Sequence, residues 1–325
     1  MSGKTLGIVV ALSVGIVGTA QAADLRFLSS WDKTNPAVPM MAEPFMKSVE
    51  AGTKGSIKFN ISGPETVPAF EQLQPASSGV FQMLFTHAVY HYGTTGIAMG
   101  LDAVGGTPEQ RHASGMYEAI DKGYQKLGMK FIAAASSATT GYHIVLRAPV
   151  SPAGDLAGRK IRGTPSYINV VTMLGGSSVV MPAGEVYAAL EKGVVDGAAW
   201  PAAGVLGMRW YEVAKYMLRP GFGYSTYLFL MNLNAWNRLS EAERAVITAE
   251  ARKAEHVWHG EYDRLVKEEE AELIKRGMQI TEMGATQKAK LPSAWADAQW
   301  DLAEKKSGQD AKDLRALLKS KGLTN

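Results

Sequence analysis

Past residue 22 the chain alternates between short apolar runs and amphipathic stretches. Residues 24–29 (DLRFLS) and 57–61 (IKFNI) alternate apolar and polar positions, the period-two signature of strands. Between them, residues 36–51 fit a helix with Pro39 near its start and Pro44 as a kink point. Gly63-Pro64 ends the second strand. Residues 69–78 fit another helix and 80–85 a third strand. Strand, helix, strand, helix in this order predicts parallel βαβ units. The same logic resumes later, with strands predicted at 130–135, 141–146, 159–162, 177–180, 194–199 and 227–231. Helices fit 167–174 and 184–191, and residues 149–158 read as a loop.

The strongest periodic signal lies near the end. Ser240-Glu241-Ala242-Glu243 is a capping box, with Ser at the cap and Glu three residues on. Ile247, Ala251, Ala254, Trp258, Tyr262, Leu265 and Leu273 follow at steps of three, four and eight and describe one helical face, with a polar gap at Glu269. Gly277 is a natural stop, and Gly260 offers a kink point. At 1.5 Å per residue this helix would be about 55 Å long, more than a small domain's diameter. It is expected to run along two domains.

The first 22 residues have a different layout. Lys4 precedes an apolar stretch over 6–20, and Ala20-Gln21-Ala22 supplies a small-x-small cleavage site. This is the plan of a secretory signal peptide cut after Ala22. The stretch is shorter than the roughly 20 apolar residues of a membrane span and is interrupted by Gly7, Gly15 and Gly18. The remainder is therefore expected in an extracytoplasmic compartment, a bacterial periplasm. Its composition changes this picture little. The 325 residues are 46% hydrophobic and 20% charged, as in globular proteins, and the length suits two domains. There is no cysteine, which excludes disulfides, thiol nucleophiles and thiolate metal sites. Lys plus Arg number 34 against 31 Asp plus Glu, a formal charge of +3, with no basic cluster of the kind that grips nucleic acid.

Catalytic signatures are missing. No Ser lies in a G-x-S-x-G elbow, no H-E-x-x-H is present, and His256 and His259, three apart on the long helix, read as surface or local packing. Gly175-Gly176 and the Gly221/Gly223 pair match neither phosphate-loop pattern. The 15 methionines read as core. Neither cofactor nor metal is expected.

Two stretches carry more. One is 155–162 (DLAGRKIR) and the other 181–197 (MPAGEVYAALEKGVVDG). Together they resemble the solute-binding proteins of tripartite ATP-independent periplasmic (TRAP) transporters, the DctP family. Residues 211–216, 232–240 and the long helix also look like that family. The resemblance implies an α/β, two-lobed periplasmic binding protein fold, with a mixed sheet in each lobe and the long helix spanning both. Lobe I would comprise 23–140 with 226–262, and lobe II 141–225 with 263–325. The implied function is capture of a small organic acid in the cleft and delivery to the permease subunits in the membrane. Coupling of the same fold to a sensor kinase, or a periplasmic enzyme on this scaffold, are the alternatives. The tail over 305–325 is short beside the added helices of dimeric relatives, so a monomer is expected.

An anion in a closed cleft needs a paired cation, and the planar fork of Arg suits a carboxylate. Arg162, at the end of the K-I-R stretch, matches the family's carboxylate-gripping Arg. Where relatives carry a second Arg after a Gly-aromatic step, this chain has His143. Where many have D-G-x-E-N, Ala199 and Trp200 replace the Glu and Asn of residues 196–200. That Glu helps ligate a metal in some relatives that bind oxo acids, so its loss argues against a metal-assisted site, while Trp200 suggests an apolar wall. The segment over 86–92 occupies a position of ligand contacts in relatives and offers His87, Tyr90 and His91. Trp31 after the first strand and Tyr224 before a later one complete the candidates. One secure Arg, one His and several aromatics favour a monocarboxylate (hydroxy, oxo or aromatic) over a dicarboxylate.

Overall fold

The computed structural model describes residues 23–325; the expected leader over 1–22 lies outside the described residues. Eleven strands form two sheets: β1 (Ala23–Ser29), β2 (Ile57–Ser62), β3 (Met83–Thr86), β4 (Met129–Ser136), β5 (Tyr142–Leu146), β6 (Lys160–Gly163), β7 (Ser177–Val180), β8 (Gly197–Pro201), β9 (Tyr216–Phe222), β10 (Thr226–Asn232) and β11 (Gln279–Glu282). The first sheet has the order β2-β1-β3-β10-β4 and the second β11-β9-β5-β8-β6-β7. In the first, β1 runs parallel to β2 and β3, while β10 is antiparallel to β3 and β4. β10 therefore returns from the second sheet to fill the middle of the first, and all seven of its residues are buried.

The crossings between sheets are tightly packed. After β4 and after β9 the chain passes from one sheet to the other, and these two segments lie side by side. Gly141 N–H donates to Gly223 O at 2.7 Å and Ser137 N–H to Ser225 O at 3.0 Å. A Cβ at Gly141 would lie 2.1 Å from the Ser225 nitrogen. Gly223 has φ +63, and a side chain there would meet the Trp295 indole at 2.2 Å. Only glycine fits at these positions.

The long helix Glu241–Lys275 starts at the predicted cap. Ser240 Oγ accepts from Glu243 N–H at 3.3 Å, and the Glu243 carboxylate accepts from Ser240 N–H at 2.9 Å. It runs unbroken past Gly260. Its predicted apolar face is buried, as at Ile247, Trp258 and Tyr262. Glu269 is no gap in that face. It is buried there because its carboxylate accepts the N–H groups of Gly204 and Leu206, at 2.9 and 3.0 Å. Nearer the helix start, Glu255 accepts from Ala134 N–H of β4 at 2.7 Å and from the Tyr117 hydroxyl, and contacts His112 at 2.6 Å. Tyr262 donates to Gly141 O at the crossing, at 2.9 Å. The helix thus touches the first sheet, the crossing and the second sheet in turn.

Several elements differ from the sequence pattern; the predicted strand over 80–85, for one, begins later, at Met83. β9 contains Pro220, which hides the strand signal, and β11 has only one buried residue in four. The predicted strand over 194–199 begins later, at Gly197, and leaves Val194 exposed. The C-terminal helix Ala285–Ser320 holds Pro292 and turns back at Gly308, where φ is +52. Its second half returns along the first, with Arg315 paired to Asp297 at 2.9 Å. The hairpin straddles both sheets. Gln299 donates to Ser166 O of the second side, and Ser307 Oγ accepts from Gly96 N–H of the first. Among the described residues no helix is long and apolar enough to cross a membrane.

His91 follows β3 and is buried against the Tyr124 hydroxyl at 2.6 Å. Burial, with a smaller contribution from nearby His87, lowers its pKa to about 3. A free imidazole titrates near about 6.5, so the unfolded chain binds the extra proton across that window. The stability tied to neutral His91 is present in full above pH ~6.5 and is lost as pH falls toward about 3, at about 1.4 kcal/mol per pH unit. In urea unfolding at pH 7 and pH 5, His91→Gln should remove that part of the acid slope. His143, whose pKa burial and Arg219 also lower, leaves a residual slope of the same sign. A variant with the wild-type slope would show that His91 does not carry it.

Candidate functional site

β6 carries Arg162 into the interior. The strand is held between β7 and β8, with Arg162 in register with Val179 and Ala198. Arg162 is 0% exposed. Nε and Nη2 donate to Met181 O at 3.1 and 2.9 Å, and Nη1 donates to Ala199 O at 3.1 Å. A guanidinium has five N–H donors, so two remain. The group lies 5.2 Å from the Trp200 ring centre. Burial pulls the Arg162 pKa below its ordinary value, with Tyr90 and Tyr167 as smaller opposing influences. Among the described residues no carboxylate pairs with it.

Arg162 faces a small cavity of about 30 Å³ with walls from both sheets. Trp31, His87, Tyr90 and Tyr227 come from the first, and Tyr142, Ser166, Tyr167 and Trp200 from the second. Trp31 packs on Tyr227, Phe85 and Tyr90 with ring centres 4.8, 5.5 and 5.7 Å apart. Three buried lining atoms have no hydrogen-bond partner: Ser166 Oγ, Tyr227 Oη and Trp200 Nε1. Burial raises the pKa of Tyr90, Tyr167 and Tyr227, so these phenols stay protonated and able to donate. Buried polar groups without partners are rare in folded proteins. Here they belong to residues that line one cavity with an unpaired cation, and the donor set suits a small anion with further oxygen atoms.

The carboxylate nearest in chemistry is already engaged. Asp102, buried in the turn Met99–Ala103, accepts from the Tyr142 hydroxyl at 2.7 Å and contacts His87 Nε2 at 2.9 Å. His87 Nδ1 accepts from Val89 N–H at 3.1 Å, which assigns the ring proton to Nε2. Both His87 nitrogens are thus occupied inside the protein. Trp295 of the C-terminal hairpin donates to Asp102 O at 2.8 Å. This cluster ties the first sheet's loops to β5 of the second. Among the described residues no carboxylate lines the Arg162 cavity itself, so its donor set does not fit a hard cation such as calcium, which needs several carboxylate and carbonyl oxygens.

The structure brings Arg162, Trp200, His87, Tyr90 and Trp31 to one cavity. It does not bring His143, His91 or Tyr224 there. Tyr142 lines the cavity in place of the adjacent His143, a difference of one residue along a strand. His143 instead lies in a neighbouring cavity, where its Nδ1 contacts Arg219 Nη1 at 3.3 Å. Tyr224 lines a cavity of about 700 Å³ behind the crossing, beside Trp295 and the chain terminus. That larger cavity has no unpaired buried cation; its Lys288 pairs with Glu282. Tyr227, three residues on within β10, reaches the Arg162 cavity instead. Sequence reasoning did not single out Tyr142, Ser166, Tyr167, Tyr227 or Asp102. The run Thr164-Pro165-Ser166-Tyr167 directly after Gly163 was the available signal for two of them.

The DctP family profile, described as bacterial extracellular solute-binding protein, family 7, matches residues 106–306. A monocarboxylate 2-oxoacid-binding periplasmic protein of Nostoc sp. is 26% identical over 304 residues, covering 88% of this chain and 80% of that protein. A TRAP periplasmic solute-binding protein of Desulfovibrio salexigens, solved with bound orotic acid, superposes with a TM-score of 0.80 at 20% identity, over 92% of this chain and 98% of the other. A TRAP transporter solute-binding protein of Bordetella bronchiseptica RB50, solved with copurified calcium and picolinate, gives 0.80 at 22% identity, over 93% and 92%. These likenesses fix the two-sheet α/β fold.

The Asp102 cluster yields a measurable coupling. A double-mutant cycle on Asp102→Asn and Tyr142→Phe, followed by urea unfolding, should show non-additivity of about 1–2 kcal/mol, as for a hydrogen bond to a buried charge. Additive effects would mean that the link between the two sheets contributes no stability.

Proposed function

Because this chain belongs to the DctP family of bacterial extracellular solute-binding proteins, we propose that it captures a small monocarboxylate in its interlobe cleft and delivers it to the membrane subunits of a TRAP permease. The observation that carries this reading is Arg162: a fully buried guanidinium with two free N–H donors and no carboxylate partner among the described residues. The ligand's carboxylate takes those two donors. The lobes that close on it are 23–140 with 226–262 and 141–225 with 263–325, with the C-terminal hairpin bridging them. The leader over 1–22 directs the chain to the periplasm.

A single cation argues for one carboxylate rather than two. The unpartnered Ser166 and Tyr227 hydroxyls add donors for a hydroxy or oxo group beside it. The 2-oxoacid relative from Nostoc lends support to this choice. Binding without turnover is supported by His87, the imidazole on the cavity, whose nitrogens are both engaged within the protein.

The test is calorimetry on residues 23–325, unfolded and refolded to remove carried-over ligand, against mono-, di-, oxo-, hydroxy and aromatic acids. A ligand at 1 mM with micromolar Kd adds about 4 kcal/mol to folding, enough to raise Tm by several degrees. Arg162→Ala should weaken the tightest monocarboxylate by roughly a hundredfold or more, the usual penalty for losing one partner of a buried charge pair. Tight binding of succinate or malate without response to monocarboxylates, or undiminished binding by Arg162→Ala, would overturn the proposal.

A further inference from the structure

Two cavities meet at Trp31 and Tyr90. The inner one holds Arg162. The outer one, about 510 Å³, opens between residues 64–69 on one side and 182–187 with 208–210 on the other. Trp31 and Tyr90 line both, with their rings edge-on at 5.7 Å. Trp31 and Tyr90 are thus the wall shared by the two cavities, and a ligand anchored at Arg162 and longer than the inner cavity reaches the outer one where these two rings give way.

The outer lining combines apolar surface with charge of one sign. Pro64, Pro68, Pro182, Met208 and Trp210 supply the apolar part. Asp32 and Glu65 from the first side and Glu185 from the second supply three carboxylates. Among the described residues no Lys, Arg or His lines it. All three acids are exposed, and none is in an ion pair among the described residues. Lys33, beside Asp32 in sequence, is taken by Glu43 at 3.1 Å. Asp32 and Glu65 are held in place by the N–H groups of Thr34 and Gly63, at 2.9 and 2.8 Å.

We infer that the outer cavity is a charge filter: it takes the apolar body and the uncharged or cationic far end of a monocarboxylate, and repels a second carboxylate. The inference rests on Arg162 as the carboxylate anchor. A ligand oriented by that anchor puts its far end among three like charges. Exposed charges act weakly one at a time, but three acting on one carboxylate give a discrimination of about tenfold against a dianion. The effect is screened by salt, because the Debye length falls from about 10 Å at 0.1 M to about 3 Å at 1 M.

The experiment compares acids of equal length. Butanoate, succinate and 4-aminobutanoate form one set, and hexanoate, adipate and 6-aminohexanoate the other. Each is titrated into refolded wild type, the triple variant Asp32→Asn/Glu65→Gln/Glu185→Gln, and Arg162→Ala. In wild type at low salt the dicarboxylate of each set should bind about tenfold more weakly than the monocarboxylate, and the amino acid at least as tightly. The triple variant should lose most of that preference, and 1 M NaCl should reduce it in wild type. If the triple variant folds poorly, the salt titration alone decides, and a salt-independent preference rejects the filter. An unchanged preference in a folded triple variant, with Arg162→Ala still abolishing binding, overturns the filter and leaves the anchor standing. Binding of none of the six acids by a wild-type preparation that binds a hydroxy or oxo monocarboxylate overturns the filter and leaves the anchor standing, whereas full binding by Arg162→Ala overturns both.

Discussion

Arg162 carries a permanent positive charge to a place with no solvent exposure, and no carboxylate of the described chain meets it there. A guanidinium cannot shed its charge by deprotonation, and a buried ion without a partner costs several kcal/mol. The chain offsets part of this with dipoles: the carbonyls of Met181 and Ala199 and the Trp200 ring. None of these is a counter-charge. The remaining deficit gives the rest of the cavity its meaning. Its walls are aromatic, its free donors are two hydroxyls and an indole N–H, and it is completed only when side chains from both sheets face each other.

The same deficit links binding to the relative placement of the lobes. Arg162 is dehydrated because the first sheet's Trp31 and Tyr90 close over the second sheet's β6. Parting the lobes would return water to the guanidinium, whereas an anion compensates the charge without parting them. A ligand that binds one arrangement better shifts the population toward it. The packing gives that shift a route. Trp31, Tyr227, Trp258 and Tyr262 form a continuous ladder of rings 4.7–4.9 Å apart. The ladder ends where Tyr262 bonds Gly141 O, at the crossing between sheets. Gly141 and Gly223 leave no free volume there, so rearrangement at the crossing moves packed backbone rather than loose side chains.

What could be read from the sequence follows from the range of each interaction. Strands such as β1, β2 and β7 and the cap of the long helix are set by neighbouring residues, and they stand where the pattern put them. Arg162 and Trp200 could be singled out because they sit in recognisable runs. Tyr142 and Tyr227 could not. Which of two adjacent strand residues faces a cavity depends on register with strands from elsewhere in the chain, and a one-residue change reverses the face. Asp102 lies in a short turn with no periodicity, and its importance comes from partners 15 and 40 residues away. Glu269 looked like a break in an apolar face because its partners, the N–H groups of Gly204 and Leu206, belong to a loop more than 60 residues earlier.

The distribution of acids around Arg162 is then a consequence of its charge. An acid inside the cavity would neutralise the guanidinium and leave nothing for a ligand to do. The buried candidate, Asp102, is instead saturated by Tyr142 and His87. Three other acids, Asp32, Glu65 and Glu185, stand at the outer cavity where water screens them. In the proposed filter the positive charge sits at the closed end and the negative charges at the mouth. A neutral molecule gains little from such a field, and a symmetric dianion gains at one end what it loses at the other. An asymmetric monoanion gains only when its carboxylate has reached Arg162 and its uncharged end lies among the acids, so the arrangement favours one orientation of the bound ligand over the other.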